Sequence, residues 1–354
     1  MKVIFDNIVF SLQKTGGISV YWDELLKRIR RDNNFQIQML GNINDNVFGK
    51  QYNNLQRKES IIPISLLRYL SFREGIEQKT IFHSSYYRFS NSKKAINITT
   101  VHDFTYEYFI TGVAKKVHCW QKYRAIQNSQ AVICISENTK RDLLKFLPLA
   151  KEKVIKVIPN GVSEDYYIDN QRSIEGIIPF EKRSYILFIG SRADYKNFSL
   201  SVKTIGRSNY NFVIIGGALS DKEKKELEKS MGQNKYVVLS NISNETLNTL
   251  YNNAFCMLYP SSYEGFGIPI LEAQRAGCPV IAYNASSIPE VIGETPLLLQ
   301  ELTIENMLEK ILLLESANLR QTIVEKGLEN SQKYTWNNTY KKTIELYKEL
   351  WNTL

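Results

Sequence analysis

Short apolar runs and amphipathic stretches alternate along the whole chain. Residues 2–5, 35–40, 81–82, 98–101, 131–135 and 154–158 are apolar runs of strand length. Between them, residues 17–31 carry apolar positions at helical spacing, and Ser136 stands as an N-cap before "ENTKRDLLKFL". "PNG" at 159–161 closes this series with a turn. A polar, irregular stretch over 163–183, with Gly176 and Pro179, reads as a linker. A second series then starts: "YILFIG", "NFVIIGG", "YVVLS", "FCMLYP" and "PVIAY" are strands. Helices are expected from about residue 197, over 221–230, 244–252 and 268–276, and through the last fifty residues.

Two successive strand–helix series imply two doubly wound parallel sheets, an α/β architecture. The expected division is a first domain at 1–165, a linker at 166–183, a second domain at 184–333, and a helix at 334–354 that returns to the first domain. Ligands in such sheets bind at the carboxyl ends of the strands, beside helix N-termini. With two such domains, the cleft between them is the default site.

Composition changes this picture little. The 354 residues are 43% hydrophobic and 23% charged, as in ordinary soluble domains. No apolar run reaches the roughly 20 residues of a membrane helix. The start "MKVIFDNIVF" lacks the charged n-region and cleavage site of a signal peptide. A cytoplasmic protein is expected, peripheral at most on the inner face of the membrane. Cys119, Cys134, Cys256 and Cys278 form no C-x-x-C pair and read as free thiols. The net charge of +9 is uneven: residues 1–165 hold 25 Lys and Arg against 15 Asp and Glu, and residues 166–354 hold 20 against 21. A basic first half suggests an anionic partner. Its aromatics show no platform pattern for nucleic acid.

The candidate chemistry lies in "PSSYEGFGIPILEA", residues 260–273. A strand ends at Pro260, and Gly265-Phe266-Gly267 opens a helix with Pro269 in its first turn. Glycines let a ligand approach the backbone, and the free N–H groups of a helix end favour an anion. Glu264 lies before the turn. Glu272 lies on the helix, where a carboxylate can accept from the vicinal hydroxyls of a ribose. The plainer alternative pairs Glu272 with Arg275.

The segment "PSSYEGFGIPILEAQRAGCPVIAY" resembles the nucleotide-binding segment of retaining glycosyltransferases of family 4, which have the GT-B fold. The resemblance extends to "TGGIS", "TTVHDFTYEYF", "AVICISENTKRDL", "VIPNGV" and "LFIGSRADYKNF", in the same order. It implies two Rossmann-like domains facing across a cleft and a nucleotide-sugar donor. By that resemblance, Glu264 lies by the transferred sugar, Glu272 on the ribose, and Phe266 and Gly267 at the diphosphate. Arg192 and Lys196 become the cations on the diphosphate, and His102 contacts the sugar. Gly16, Gly17, Asp103, Gly190, Tyr263, Gly265 and Ile268 complete the implied donor site. Glu264, His102, Lys196 and Arg192 are its catalytic members.

"GSRADYKN" departs from the commoner family form, which has a Gly-Arg pair. There is no Asp-x-Asp motif, so the implied reaction needs no metal and no cofactor beyond the donor. The resemblance leans toward surface-polysaccharide enzymes using GDP-mannose or dTDP-rhamnose. The basic half suits a glycan acceptor linked to a polyprenyl diphosphate at an anionic membrane. Lys27, Arg28, Arg30 and Arg31, or "IPISLLRYLSFR" with Arg68 and Arg73, are candidate contacts with that membrane; the second stretch also reads as a core-facing helix. A dehydrogenase is disfavoured, since no G-x-G-x-x-G follows the first strand. A nucleotide-sugar epimerase of the same fold, and a non-catalytic partner subunit, stay open.

Overall fold

The computed structural model describes residues 1–57, 62–72, 75–169 and 171–353. The chain forms two units: Met1–Gly161 with Trp336–Leu354, and Val162–Thr335.

The first unit holds β1 (Lys2–Asp6), β2 (Gln36–Leu40), β3 (Gln56–Arg57), β4 (Thr80–Ser84), β5 (Ala95–Val101), β6 (Ala131–Cys134) and β7 (Val154–Val157). The second holds β8 (Tyr185–Ile189), β9 (Asn211–Ile215), β10 (Tyr236–Leu239), β11 (Cys256–Tyr259), β12 (Val280–Tyr283) and β13 (Leu298–Leu299). The sheet orders are β3-β2-β1-β4-β5-β6-β7 and β10-β9-β8-β11-β12-β13, and the pairs within them are parallel. Both are doubly wound, reversing between β1 and β4 and between β8 and β11. Central strands are buried on both faces, β4 and β5 along their whole length, and polar members such as His83 and Asn97 are hydrogen-bonded there.

The segment 166–183 was expected as a linker; its described residues, 166–169 and 171–183, pack on the second unit instead. Tyr166, Ile174 and Ile178 are buried. The Tyr167 and Asp169 N–H groups donate to the Asn248 and Asn252 side chains at 3.1 and 2.6 Å. These apolar anchors follow no helix or strand period, so the segment reads as polar and irregular. The last helix, Trp336–Thr353, belongs to the first unit. Its Tyr347 hydroxyl meets His83 Nδ1 at 2.6 Å, while Thr100 Oγ1 meets Nε2 at 2.8 Å. Burial pushes the His83 pKa down to about 3, so this imidazole stays neutral and structural. Helix Gly112–Gln127 was not expected from the pattern; its buried face is largely polar. All four cysteines are free.

Candidate active site

In the second unit the order reversal sets the segments after β8 and β11 side by side. The Ser262 N–H donates to Tyr195 O at 2.7 Å. Asn197 Nδ2 donates to Pro260 O and to Ser262 Oγ, each at 2.8 Å. This stitching brings Lys196 onto Glu264, an ion pair whose two side chains are each 12% exposed. The ammonium also sits 5.4 and 5.5 Å from the ring centres of Tyr195 and Tyr259. Burial and the Glu264 charge hold the Tyr259 phenol well above its usual pKa, so it remains a donor.

The Glu264 loop is clamped from a third segment. Its N–H donates to Ser286 Oγ at 2.8 Å. Ser287 Oγ donates to Glu264 O at 2.9 Å and to Phe266 O at 3.0 Å. Asn197 and Ser286 adopt left-handed backbone conformations, φ 54° and 52°. Such conformations persist only when the surroundings impose them, and they gather at functional sites. Helix Ile268–Arg275 starts from Gly267 at φ 104°, and no side chain caps it. A Cβ on Gly267 would lie 3.2 Å from Ile270 Cδ1. Tyr263 and Phe266 are buried, Phe266 edge-on to Tyr334, while Ile268 is half-buried. Gly190 ends β8 at φ 124° with open space where a Cβ would be.

Glu272 does not pair with Arg275. Tyr251 donates to Glu272 Oε2 at 3.1 Å, and Tyr166 also bonds the carboxyl. Burial pushes the Glu272 pKa up to about 7. Arg275 instead donates to Val162 O and Ser163 O, each at 3.3 Å.

Arg192 has partners within the second unit. Its Nε donates to Glu223 Oε1 at 2.7 Å, and Nη2 donates to the carbonyls of Gly217 and Ala218. Glu223 in turn forms a capping box with Ser220 at the start of helix Asp221–Met231. A pocket of about 460 Å³ has Arg192, Lys203, Lys222, Asp194, Glu223 and Glu226 in its wall; Lys196 and Glu264 do not line it. Its cations and carboxylates balance, so nothing there selects an anion.

In the first unit, His102 and Asp103 follow β5. Burial pushes the His102 pKa down to about 4, and its buried Nε2 lacks a hydrogen-bond partner. Asp103 Oδ1 accepts from the Thr105 N–H at 2.9 Å, and Asp103 O accepts from Lys122 Nζ at 2.9 Å. Gly16 caps helix Gly17–Ile29, and a Cβ on Gly17 would meet open space. Tyr21 of that helix stands edge-on to His102 at 5.1 Å.

Ser286, Ser287, Tyr166 and Tyr251 were not read from the sequence. They act on backbone or on one carboxyl, and "NASS" carries no signature beyond following a strand. Ser287→Ala leaves two loop carbonyls without their donor. It is expected to cost about 1–2 kcal/mol in denaturant unfolding and to loosen Glu264.

The match to known proteins covers both halves. Residues 15–166 match the family model described as Glycosyltransferase Family 4, and residues 169–330 match Glycosyl transferases group 1. O-antigen chain mannosyltransferase B of Escherichia coli is 26% identical over 278 residues, 72% of this chain and 70% of that protein. O-antigen chain mannosyltransferase RfbU of Salmonella typhimurium is 29% identical over 54% of this chain and 53% of its own. Anabaena HepE, solved with UDP-glucose, superposes with a TM-score of 0.75 at 16% identity, over 99% of this chain and all of its own. That likeness shows the GT-B fold.

Proposed function

The chain belongs to the glycosyltransferases of family 4, and from that premise we propose that it moves a hexose from a nucleoside-diphosphate sugar to a hydroxyl of a glycan acceptor, with retention of configuration. The observation that carries this is the Lys196–Glu264 pair, joined where β8 and β11 end, beside a helix end without a side-chain cap. Lys196 and that helix end offset the charge of the leaving diphosphate. Glu264 orients the sugar, and Glu272 accepts from ribose hydroxyls. His102, neutral at pH 7, supplies a hydrogen bond to a sugar hydroxyl through Nε2, which otherwise lacks a partner.

The C1–O bond to phosphate breaks through an oxocarbenium-like state. The acceptor oxygen bonds C1 on the same face, and its proton passes to the leaving phosphate oxygen. Neither glutamate forms a covalent intermediate, unlike the paired carboxylates of retaining glycosidases. In this reading no metal takes part, so transfer persists in EDTA. GDP-mannose is the favoured donor, supported by the mannosyltransferase relatives, with dTDP-rhamnose next. The basic first half supports an acceptor carried on a lipid diphosphate.

The test is incubation with GDP-mannose, UDP-glucose and dTDP-rhamnose, with and without lipid-diphosphate glycans, the product anomer being read by NMR. A new axial glycoside on the acceptor is expected with GDP-mannose. Conversion of the free nucleotide sugar to its epimer without acceptor would replace this reading by the epimerase.

A further inference from the structure

Helix Gly112–Gln127 is built inside out. The residues it buries include His118, Gln121 and Lys122, beside Ala125 and Ile126. Lys122 Nζ meets Glu107 Oε2 at 2.9 Å with both side chains buried. His118 stacks on Tyr106 with ring centres 3.8 Å apart, and Gln121 donates to Arg68 O. Solvent receives Val113, Val117 and Trp120, which are 76%, 37% and 52% exposed and fall on one helical face. Tyr108 and Phe109, on the preceding helix Thr105–Phe109, are exposed too. A helix that shows its apolar residues to water, with polar ones beneath, is shaped for something outside the fold.

Charge narrows what that is. From residue 104 to 127 the chain carries Lys115, Lys116, Lys122 and Arg124 and a single acid, Glu107. That acid is buried against Lys122. Lys116 is exposed, Lys115 Nζ holds Glu107 O at 2.7 Å, and the Arg124 guanidinium lies 5.3 Å from the Trp120 ring centre. The outward face is therefore apolar with a cationic border and no exposed carboxylate of its own. A two-fold contact with a second copy would set like charges together.

The basic segments singled out from the sequence are less suited. Lys27 pairs with Asp23 at 2.6 Å and Arg28 with Glu24, while Arg30 lies over Tyr52. In the 62–72 stretch Leu67 and Phe72 are buried, although Leu66 is exposed. Arg68 lies over Tyr69 and Tyr86 at 4.8 Å each. Arg73 lies outside the described residues.

We infer that the Val113–Val117–Trp120 face seats the protein on an anionic lipid bilayer. The three apolar side chains enter the boundary between headgroups and acyl chains, and Lys115, Lys116 and Arg124 meet lipid phosphates. Trp suits that boundary, having a broad apolar ring and one donor. This deepens the reading of a lipid-linked acceptor by naming the face that meets the lipid. Its test uses neither donor nor acceptor, so either idea can fail alone.

The full chain is mixed with vesicles of phosphatidylcholine, or of an equal phosphatidylcholine–phosphatidylglycerol mixture, and followed by sedimentation and tryptophan emission. Trp22 and Trp336 are buried, and Trp351 is half-buried, so Trp120 reports insertion. Binding to the anionic vesicles alone is expected, weakened by salt, with a blue shift that Trp120→Phe removes. Lys116→Glu and Val113→Glu, both at exposed positions, each weaken binding about tenfold without changing the circular dichroism. Equal binding to both vesicles, or anionic binding indifferent to these variants, overturns the inference. So does concentration-dependent dimerisation that Val113→Glu abolishes in the absence of lipid.

Discussion

Lys196→Ala is expected to lower kcat for sugar transfer by about 10²–10³-fold, the usual cost of removing one fixed charge from a developing anion. Two effects act together. The leaving diphosphate loses its nearest cation in the proposed reaction. Glu264, 12% exposed and normally paired with that ammonium, becomes a bare carboxylate beside the donor, so KM rises as well. Lys196→Arg keeps the charge but not the compact head between Tyr195 and Tyr259; part of the activity is expected to return. The pair is half of a loop clamp that Asn197, Ser286 and Ser287 hold independently. The thermal midpoint should therefore move little. Transfer within about threefold of wild type in Lys196→Ala would remove Lys196 from the chemistry.

Arg192→Ala should behave in the opposite way. Arg192 ties Glu223 to the carbonyls of Gly217 and Ala218. Its loss should therefore lower the thermal midpoint more than kcat. The resemblance implied two phosphate cations in "GSRADYKN"; the structure joins only Lys196 to Glu264. The arginine stands after Ser191 instead of directly after Gly190, and its side chain leaves the strand end toward helix Asp221–Met231.

What the sequence reveals and what it hides follow from where each signal resides. β1, β8 and β11 are visible because a strand covered on both faces is apolar nearly throughout. Ser136 is legible as a cap because its role is local: its Oγ accepts from the Thr139 N–H at 3.0 Å. The loop around Glu264 is legible because its glycines and proline lie contiguous at the start of helix Ile268–Arg275. Helix Gly112–Gln127 is hidden because its polarity is reversed relative to the usual core-facing pattern. Ser287 is hidden because it acts on carbonyls about twenty residues away in sequence, across a strand order that no local window contains. Residues 166–169 and 171–183 are hidden because isolated anchors such as Tyr166 and Ile178 fix them.

Tyr166 and Tyr251 also decide how the proposed donor site responds to pH. Both phenols are held well above their usual pKa by burial and by Glu272, so they stay protonated donors throughout the working range. Between them the Glu272 carboxyl is raised by burial from 4.5 to about 7. The folded carboxyl therefore retains a proton between those values that the unfolded chain has lost. Its contribution to stability is full below about 4.5, declines as pH rises, and is gone above about 7. Donor binding runs the other way. Ribose hydroxyls that donate to Glu272 favour the carboxylate, so the bound state releases the proton. Affinity for a nucleotide sugar is expected to rise as pH increases toward 7, approaching tenfold per pH unit well below about 7, and to level off above it. A nucleotide sugar is the right probe because its diphosphate has no group titrating in this range. Calorimetry in buffers of different ionisation enthalpy should register about one proton released per donor bound below pH 7. Glu272→Gln should bind more weakly at pH 8 with a flat profile. A sloped profile in that variant, or a flat one in the wild type, would place the ribose away from Glu272.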